Sequence, residues 1–375
     1  MNLPQIKHAH NPIRLSQNRI RVGTIQYGVS SEITDDEEGV IWQLMKLMDG
    51  TRTIDTIVNE MQNVVLGIDP ESVKDAINDL IEAGFVEDAG SEFPSEFNQD
   101  ELERYSRSVA YFSWVDTTPR NSKYDIQSKL KRARVNLLGL GGSGSAVAMS
   151  LVAAGIGSLH CIDFDQVELS NLNRQLLYNE NDIGQPKLVN GIHHLQQLNS
   201  RVKVSGQELK AQSVNDIIPL MKNCDLFILC ADKPQELILQ WTNEAALSTK
   251  TPWMMCLYDG PMVVVGIFAP FQTPCYECMK HDENNKNSAR DGDNTEYLYD
   301  TLGVNAVIAP TASITGHFGA LEAIYFLTDL KPQTVGSIFH QNLMIYDHTY
   351  YIKPPFWTEC PACGDKSSHQ PIFGK

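Results

Sequence analysis

The 375-residue sequence lacks an uninterrupted apolar run long enough for a membrane span. Its most apolar stretch, Val304 to Leu327, is broken by Asn305, Pro310, Thr311, Ser313, His317 and Glu322, which predicts a buried helix instead. The first residues, MNLPQIKHAHNPIRLSQNRIRV, lack the apolar core of an export signal. A cytoplasmic location and no membrane partner are therefore expected. A basic excess is also missing: Lys and Arg number 30 against 46 Asp and Glu, for a formal net charge of −16. A general nucleic-acid binder must neutralise phosphates and is ordinarily basic, so nucleic acid is not an expected partner. A few well-placed cations still suffice for a nucleotide site. Apolar residues are not scarce, at 42% with 20% charged, which excludes a disordered chain. At about 150 residues per domain, the length predicts two or three domains.

In a reducing compartment the eight cysteines need a role other than disulfides. Four form two C-x-x-C pairs, Cys275 with Cys278 and Cys360 with Cys363. Each such turn offers two thiolates, and two turns complete a tetrahedral site suited to zinc. The pairs are far apart in sequence, so the site is a clasp between distant segments rather than a small zinc finger. Four thiolates leave no open position, which makes the metal structural. Cys161, Cys224, Cys230 and Cys256 sit in or beside apolar strand-like runs and read as small core residues. Among them, Cys256 remains the candidate nucleophile.

Residues 1–90 predict a small winged-helix-like α+β domain. Ile20-Arg-Val and Thr24-Ile-Gln-Tyr flank Gly23 as a hairpin. Thr34 caps a helix that turns Val40, Ile41, Leu44, Met45 and Leu47 inward and stops at Gly50. A second helix covers Ile54 to Met61. A third starts at Asp69-Pro70-Glu71 and buries Val73, Ile77, Leu80 and Ile81. The pattern resembles the PqqD-like peptide-recognition domain of ribosomal peptide natural-product pathways, closest at Met48 to Val58 and Asp79 to Val86. The resemblance implies a leader peptide that adds a strand beside the hairpin and packs on the third helix. A DNA-binding winged helix fits less well, because Glu71 to Glu82 carries one lysine and several acids. Residues 91–101 are polar and acidic and predict a linker to a second domain over 102–375.

In that second domain, Val135-Asn-Leu-Leu-Gly-Leu-Gly-Gly-Ser-Gly-Ser reads as strand, glycine loop and helix. Gly139, Gly141, Gly142 and Gly144 let the backbone approach phosphates at a helix N-terminus. The next strand, Ser158 to Ile162, ends in Asp163, where a ribose-binding carboxylate belongs. Asp163-Phe-Asp-Gln-Val-Glu-Leu-Ser-Asn-Leu-Asn-Arg-Gln175, Gly184-Gln-Pro-Lys187 and Cys230-Ala-Asp232 resemble the ThiF/MoeB family of ubiquitin-activating-like adenylating enzymes. The resemblance covers about residues 100–363 and includes the cysteine clasp. It implies an α/β fold with a Rossmann-like doubly wound sheet, a structural Zn²⁺, and ATP with Mg²⁺. It also implies that Asp163 binds ribose, that Asn171, Arg174 and Lys187 contact phosphates, and that Asp232 holds Mg²⁺. Asp165 supports the loop or the metal. Arg107 resembles the arginine that such homodimers insert into the partner's site.

Two departures bear on chemistry. Lys233 stands where the family usually has Asn after the magnesium aspartate. No cysteine occurs between Met279 and Pro310, the crossover in which thioester-forming members place one. Adenylation followed by direct attack is therefore expected, without a thioester relay. Residues 281–303 read equally as a lid over the site or as a surface loop. His317 reads as a packed helix residue. Together the halves imply activation of a carboxylate on a precursor peptide, leading to cyclisation of pantocin type or to another modification. The alternatives are nucleotidylation of microcin C type, activation of a ubiquitin-like sulfur-carrier protein, and an inactive leader-docking protein.

Overall fold

A computed structural model describes residues 1–23, 30–291 and 306–364. The chain divides into two compact units, Met1–Lys129 and Leu130–Lys375. In the first unit, β1 (Pro4–Ile6) precedes β2 (Ile13–Ser16), β3 (Arg19–Val22) and β4 (Ser31–Thr34). Helices α1 (Val40–Leu47), α2 (Ile54–Val64) and α3 (Pro70–Glu82) follow, then β5 (Val86–Asp88), α4 (Gln99–Arg104) and α5 (Ser106–Val115). Strand β1 pairs antiparallel with β5, and β2, β3 and β4 form a separate antiparallel sheet.

The three helices form as their apolar spacing predicts, and their inner faces meet. Ile20, Leu44, Met48, Ile57, Met61, Ile77 and Phe85 pack in one core drawn entirely from residues 6–86. Asp69 caps α3 by accepting the Ser72 N–H at 3.1 Å, with Pro70 in the first turn. The cap of α1 differs from expectation. Thr34 ends β4, and the carboxylates of the next two residues cap the helix instead. Asp35 accepts the N–H groups of Ile41 and Trp42 at 2.8 and 3.1 Å, and Asp36 accepts that of Val40 at 3.0 Å. A carboxylate serves two donors where a hydroxyl serves one, and it suits the positive end of the helix. The expected hairpin partner, Thr24 to Tyr27, lies outside the described residues. Strand β3 instead pairs with β2 and β4.

The stretch expected as a linker, 91–101, runs into α4. Asn98 Oδ1 accepts the Glu101 N–H at 3.0 Å, and the Glu101 carboxylate accepts the Asn98 N–H at 3.2 Å. This reciprocal cap starts a helix directly after the polar segment.

Helix α6 (Asp125–Arg132) crosses the division between the units. The second unit then runs β6 (Arg134–Leu138), α7 (Gly142–Ala154), β7 (Ser158–Ile162), α8 (Lys187–Leu198), β8 (Lys203–Gln207), α9 (Val214–Met221) and β9 (Leu226–Leu229). It continues through α10 (Leu237–Thr249), β10 (Trp253–Asp259), β11 (Met262–Phe268), α11 (Tyr276–Asp291), α12 (Ala309–Leu327), β12 (Ile338–Asn342) and β13 (Thr349–Ile352). The strands form one sheet in the order β13-β12-β11-β10-β9-β6-β7-β8. From β10 to β8 neighbouring strands are parallel, and from β10 to β13 they are antiparallel. The expected doubly wound α/β sheet is present, extended by an antiparallel half. Strand β9, Leu-Phe-Ile-Leu, is buried along its length, as a central parallel strand requires.

The apolar stretch that ends at Leu327 is a helix packed on α7. Its small residues permit the approach: a Cβ on Gly316 would lie 2.3 Å from the Ser143 carbonyl oxygen. The lone acid on its inner side, Glu322, accepts the N–H groups of Gln333 and Thr334 at 2.8 Å each and the Thr334 hydroxyl at 2.7 Å. Among the described residues, no helix is long and apolar enough to cross a membrane.

The first turn of α7 rests against the turn before it. A Cβ on Gly144 would fall 1.9 Å from the Gly139 carbonyl oxygen, a backbone atom that cannot step aside. Gly144→Ala is expected to destabilise the protein by ~1–3 kcal/mol through overpacking. A urea-denaturation midpoint equal to that of the wild type would contradict this packing.

Candidate functional site

The site lies beyond the carboxyl ends of β6 and β9, where strand order reverses direction across the sheet. At Gly139 the chain leaves β6 with φ +99°, a left-handed conformation that side chains disfavour. A Cβ there would also meet the Ala231 nitrogen at 2.8 Å, so only glycine lets the end of β9 close on this turn. Gly139 N–H donates to the Ile162 carbonyl at 2.8 Å. Gly141 then sits at the start of α7, and a Cβ on it would meet nothing nearer than Gln175 Nε2 at 3.8 Å. The helix start is thus open at Gly141, and free N–H groups at a helix N-terminus are the kind that bind phosphate.

Two serines hold the helix start in place. Ser143 Oγ donates to the Cys256 carbonyl at 2.9 Å, and Ser145 Oγ donates to the Leu140 carbonyl at 3.0 Å. Tyr178, which the sequence did not single out, donates from beneath to the Leu140 and Lys187 carbonyls at 3.2 and 3.3 Å. Its only sequence signal is its place three residues after Gln175.

Asp163 is buried at the end of β7 and accepts the N–H groups of Leu140 and Asp165 at 2.7 and 2.8 Å. Burial pushes its carboxyl above the ordinary value, while the Leu140 N–H and the Lys187 charge pull it back. Lys187 opens α8 with its side chain buried, and its Nζ pairs with Asp165 Oδ2 at 3.1 Å. Lys187 is thus an interior cation rather than a solvated surface charge, and Asp165 reaches it directly.

Asn171 is buried in the loop after β7, where its Oδ1 accepts the Glu168 N–H at 3.2 Å. Arg174 Nη1 donates to the Ser170 carbonyl at 2.9 Å and to Asn173 Oδ1 at 3.0 Å. Among the described residues its buried Nε has no hydrogen-bond partner. A buried, unsatisfied guanidinium donor fits a site that is completed by an anion. Asp232 is exposed just past β9, followed by Lys233. The structure therefore brings Gly139, Gly141, Gly142, Gly144, Asp163, Asp165, Lys187 and Asp232 to one end of the sheet, with the Asn171–Arg174 loop beside them. Arg107 lies exposed on α5 of the first unit.

The four paired cysteines meet as their spacing predicts. Cys275 and Cys278, at the start of α11, join Cys360 and Cys363, and all four Sγ atoms lie within 4.8 Å of one another. The Cys275–Cys278, Cys275–Cys360 and Cys278–Cys363 separations are 3.9, 3.7 and 3.5 Å. Sulfurs at ~2.3 Å from a tetrahedral ion stand about 3.8 Å apart, so the cluster matches a metal site in size and donor type.

Cys256 is fully buried. Its thiol is pushed well above the ordinary value, first by a hydrogen bond with Cys230 and then by burial, which removes it as a nucleophile. Burial likewise pushes Cys161 and Cys224 up to about 12. His317 is exposed rather than packed, and its Nδ1 lies 2.7 Å from Ser150 Oγ on α7. Of the segment 281–303, residues up to Asp291 continue α11, and 292–303 lie outside the described residues.

The ThiF family model matches residues 105–362. The Escherichia coli sulfur carrier protein ThiS adenylyltransferase is 29% identical over 284 residues, covering 72% of this chain and 98% of its own. The fold is similar to that of E. coli MccB crystallised with MccA, at a TM-score of 0.74 and 22% identity, covering 97% of this chain and 100% of that one. PaaA is similar at a TM-score of 0.68 and 26% identity, covering 93% and 99%.

The purified protein is expected to carry one tightly held metal ion per chain, measured by elemental analysis. Cys278→Ser should lose that ion and lower the thermal midpoint, because metal binding here is folding energy. A metal-free wild type of unchanged stability would overturn the assignment.

Proposed function

The chain belongs to the ThiF family and is an ATP-dependent adenylating enzyme, and from that premise we propose that it activates a carboxylate on a ribosomally made precursor peptide. The observation that carries this reading is coverage. The sulfur-carrier relative matches 72% of the chain, whereas MccB, crystallised with its precursor peptide MccA, spans 97% and so includes the N-terminal unit. What this chain adds to a sulfur-carrier adenylyltransferase is a unit shared with a peptide-binding fold neighbour. Residues 1–90 are the leader-binding domain in this reading, with 102–375 the adenylating domain and 91–101 joining them. Among the described residues β2 and β4 are the outer strands of the three-stranded sheet, which suits strand addition by a leader.

In the reaction, a carboxylate oxygen of the peptide attacks the α-phosphorus of ATP. The bond to the β-phosphate oxygen breaks, and pyrophosphate leaves with that electron pair. Asp163 accepts the ribose hydroxyls. The N-terminus of α7, with Asn171, Arg174 and Lys187, holds the phosphates and offsets the charge that builds on them. Asp232 is an exposed carboxylate with hard oxygen donors, fit to hold Mg²⁺, which supplies further neutralisation when bound. In the homodimer, Arg107 reaches the site of the other copy. The four-sulfur cluster takes zinc and remains structural, since it keeps no open position. The acyl adenylate is then consumed by direct attack within the peptide, giving cyclisation or another modification.

The likeness to MccB favours a second reading, in which phosphorus remains on the peptide as a nucleotidylated product. Identity to the ThiS adenylyltransferase favours a third, activation of a sulfur-carrier protein. ATP–pyrophosphate exchange separates them. Exchange that requires a short precursor peptide supports the first two, and a retained nucleotide mass on that peptide selects the second. Exchange that requires a protein ending in Gly-Gly establishes the third.

Asp232→Ala is expected to abolish ATP turnover and leave leader binding intact; unchanged turnover would remove the magnesium assignment. Deletion of residues 1–90 should weaken peptide binding while ATP still binds. Peptide affinity equal to that of the full chain, measured by fluorescence anisotropy, would remove the recognition role.

A further inference from the structure

The geometry points to Tyr258 as a positioning residue of the adenylation site, one that holds the Arg174 guanidinium over the start of α7 so that its donors face the phosphates of ATP. This inference rests on the adenylation reading and extends it to a residue outside the motifs of the glycine loop, the ribose acid and the phosphate loop.

Three observations carry it. Tyr258 stands near the carboxyl end of β10, on the side of β9 away from β6, and its side chain is half-buried. Its hydroxyl lies 3.0 Å from where a Cβ on Gly142 would be, so the phenol occupies the space directly over the first turn of α7. The strand is pinned there by the Ser143 hydroxyl on the Cys256 carbonyl, two residues before Tyr258. The Arg174 guanidinium and the Asp232 carboxylate both lie close enough to act on this phenol.

Arg174 is anchored on one side and has the phenol beside it on the other. Its Nη1 is anchored to its own loop through the Ser170 carbonyl and Asn173 Oδ1, and the Tyr258 phenol stands on the β10 side. Asn173 ties that loop to the base of α12 through the Val307 carbonyl at 3.3 Å. The buried Arg174 Nε has no hydrogen-bond partner among the described residues. A long arginine side chain surrenders considerable rotamer freedom when it binds phosphate. A phenol that restrains it beforehand removes part of that loss from the binding step. Glycine at 142 is then required for a second reason, because any side chain there would displace the phenol.

The test uses the full-length protein with Mg²⁺ present and compares ATP with adenosine by isothermal titration calorimetry. Tyr258→Phe keeps the ring and removes the hydroxyl. It is expected to weaken ATP binding about tenfold, the scale of one hydrogen bond to a charged group, and to leave adenosine binding unchanged. In an Arg174→Gln background, Tyr258→Phe should cause no further loss, because the two residues act as one unit. Equal ATP affinity in wild type and Tyr258→Phe would overturn the inference. Equal losses for ATP and adenosine would overturn it too, since that pattern belongs to a packing role. So would a full tenfold loss in the Arg174→Gln background. A wild type that binds no ATP would instead overturn the adenylation reading, and the inference with it.

Discussion

One buried carboxylate ties the site together. Asp163 closes the end of β7 onto the glycine turn by accepting the Leu140 N–H, and onto its own loop by accepting the Asp165 N–H. Burying that charge is costly, and burial alone pushes the carboxyl up. Two backbone donors and the nearby Lys187 ammonium offset the cost, each hydrogen bond to a charged group contributing about 1.5–3 kcal/mol. Through this junction the ends of β6 and β7, the start of α7 and the start of α8 hold one geometry. The start of α7 and the Asp163 carboxylate are therefore set by the same contact.

The other side of the crevice is built differently. Strand β10 is the last parallel member of the sheet, and the strands beyond it run antiparallel. It delivers Cys256, whose carbonyl pins Ser143, and Tyr258, whose phenol meets Arg174. The sulfur cluster anchors this half by drawing the segment 360–363 onto the start of α11. Four thiol groups this close form a donor set that one metal ion would bind as thiolates.

How much was legible in the residues varied with distance along the chain. The strand, glycine loop and helix from Val135 to Ala154 were legible because glycines, apolar residues and serines follow one another within a few positions. The three helices of the first unit were legible from apolar spacing alone. The cap of α1 was misread: Thr34 is a good N-cap type, but it belongs to β4, and Asp35 reaches forward to Ile41 and Trp42. The start of α4 is hard to read because its capping pair, Asn98 and Glu101, lies in an acidic stretch with the composition of a linker. His317 was read as packed because α12 is apolar nearly all round, yet its ring sits at the surface against Ser150.

From the residues alone came the local devices: the turn that only glycine can make at Gly139, the proline-started α3, the paired thiols at 275/278 and 360/363, and the absence of a cysteine between Met279 and Pro310. These depend on backbone conformation and on donors a few residues apart, so their chemistry is carried by short spacing. The tertiary structure decided that Lys187 is interior and paired with Asp165, that Cys256 is sealed against Thr315 on α12, and that Tyr258 stands over Gly142. Those outcomes depend on strand register and on which crossover lies over which strand. A one-residue change of register in β10 would turn Tyr258 to the opposite face of the sheet, and no short-range pattern specifies that choice.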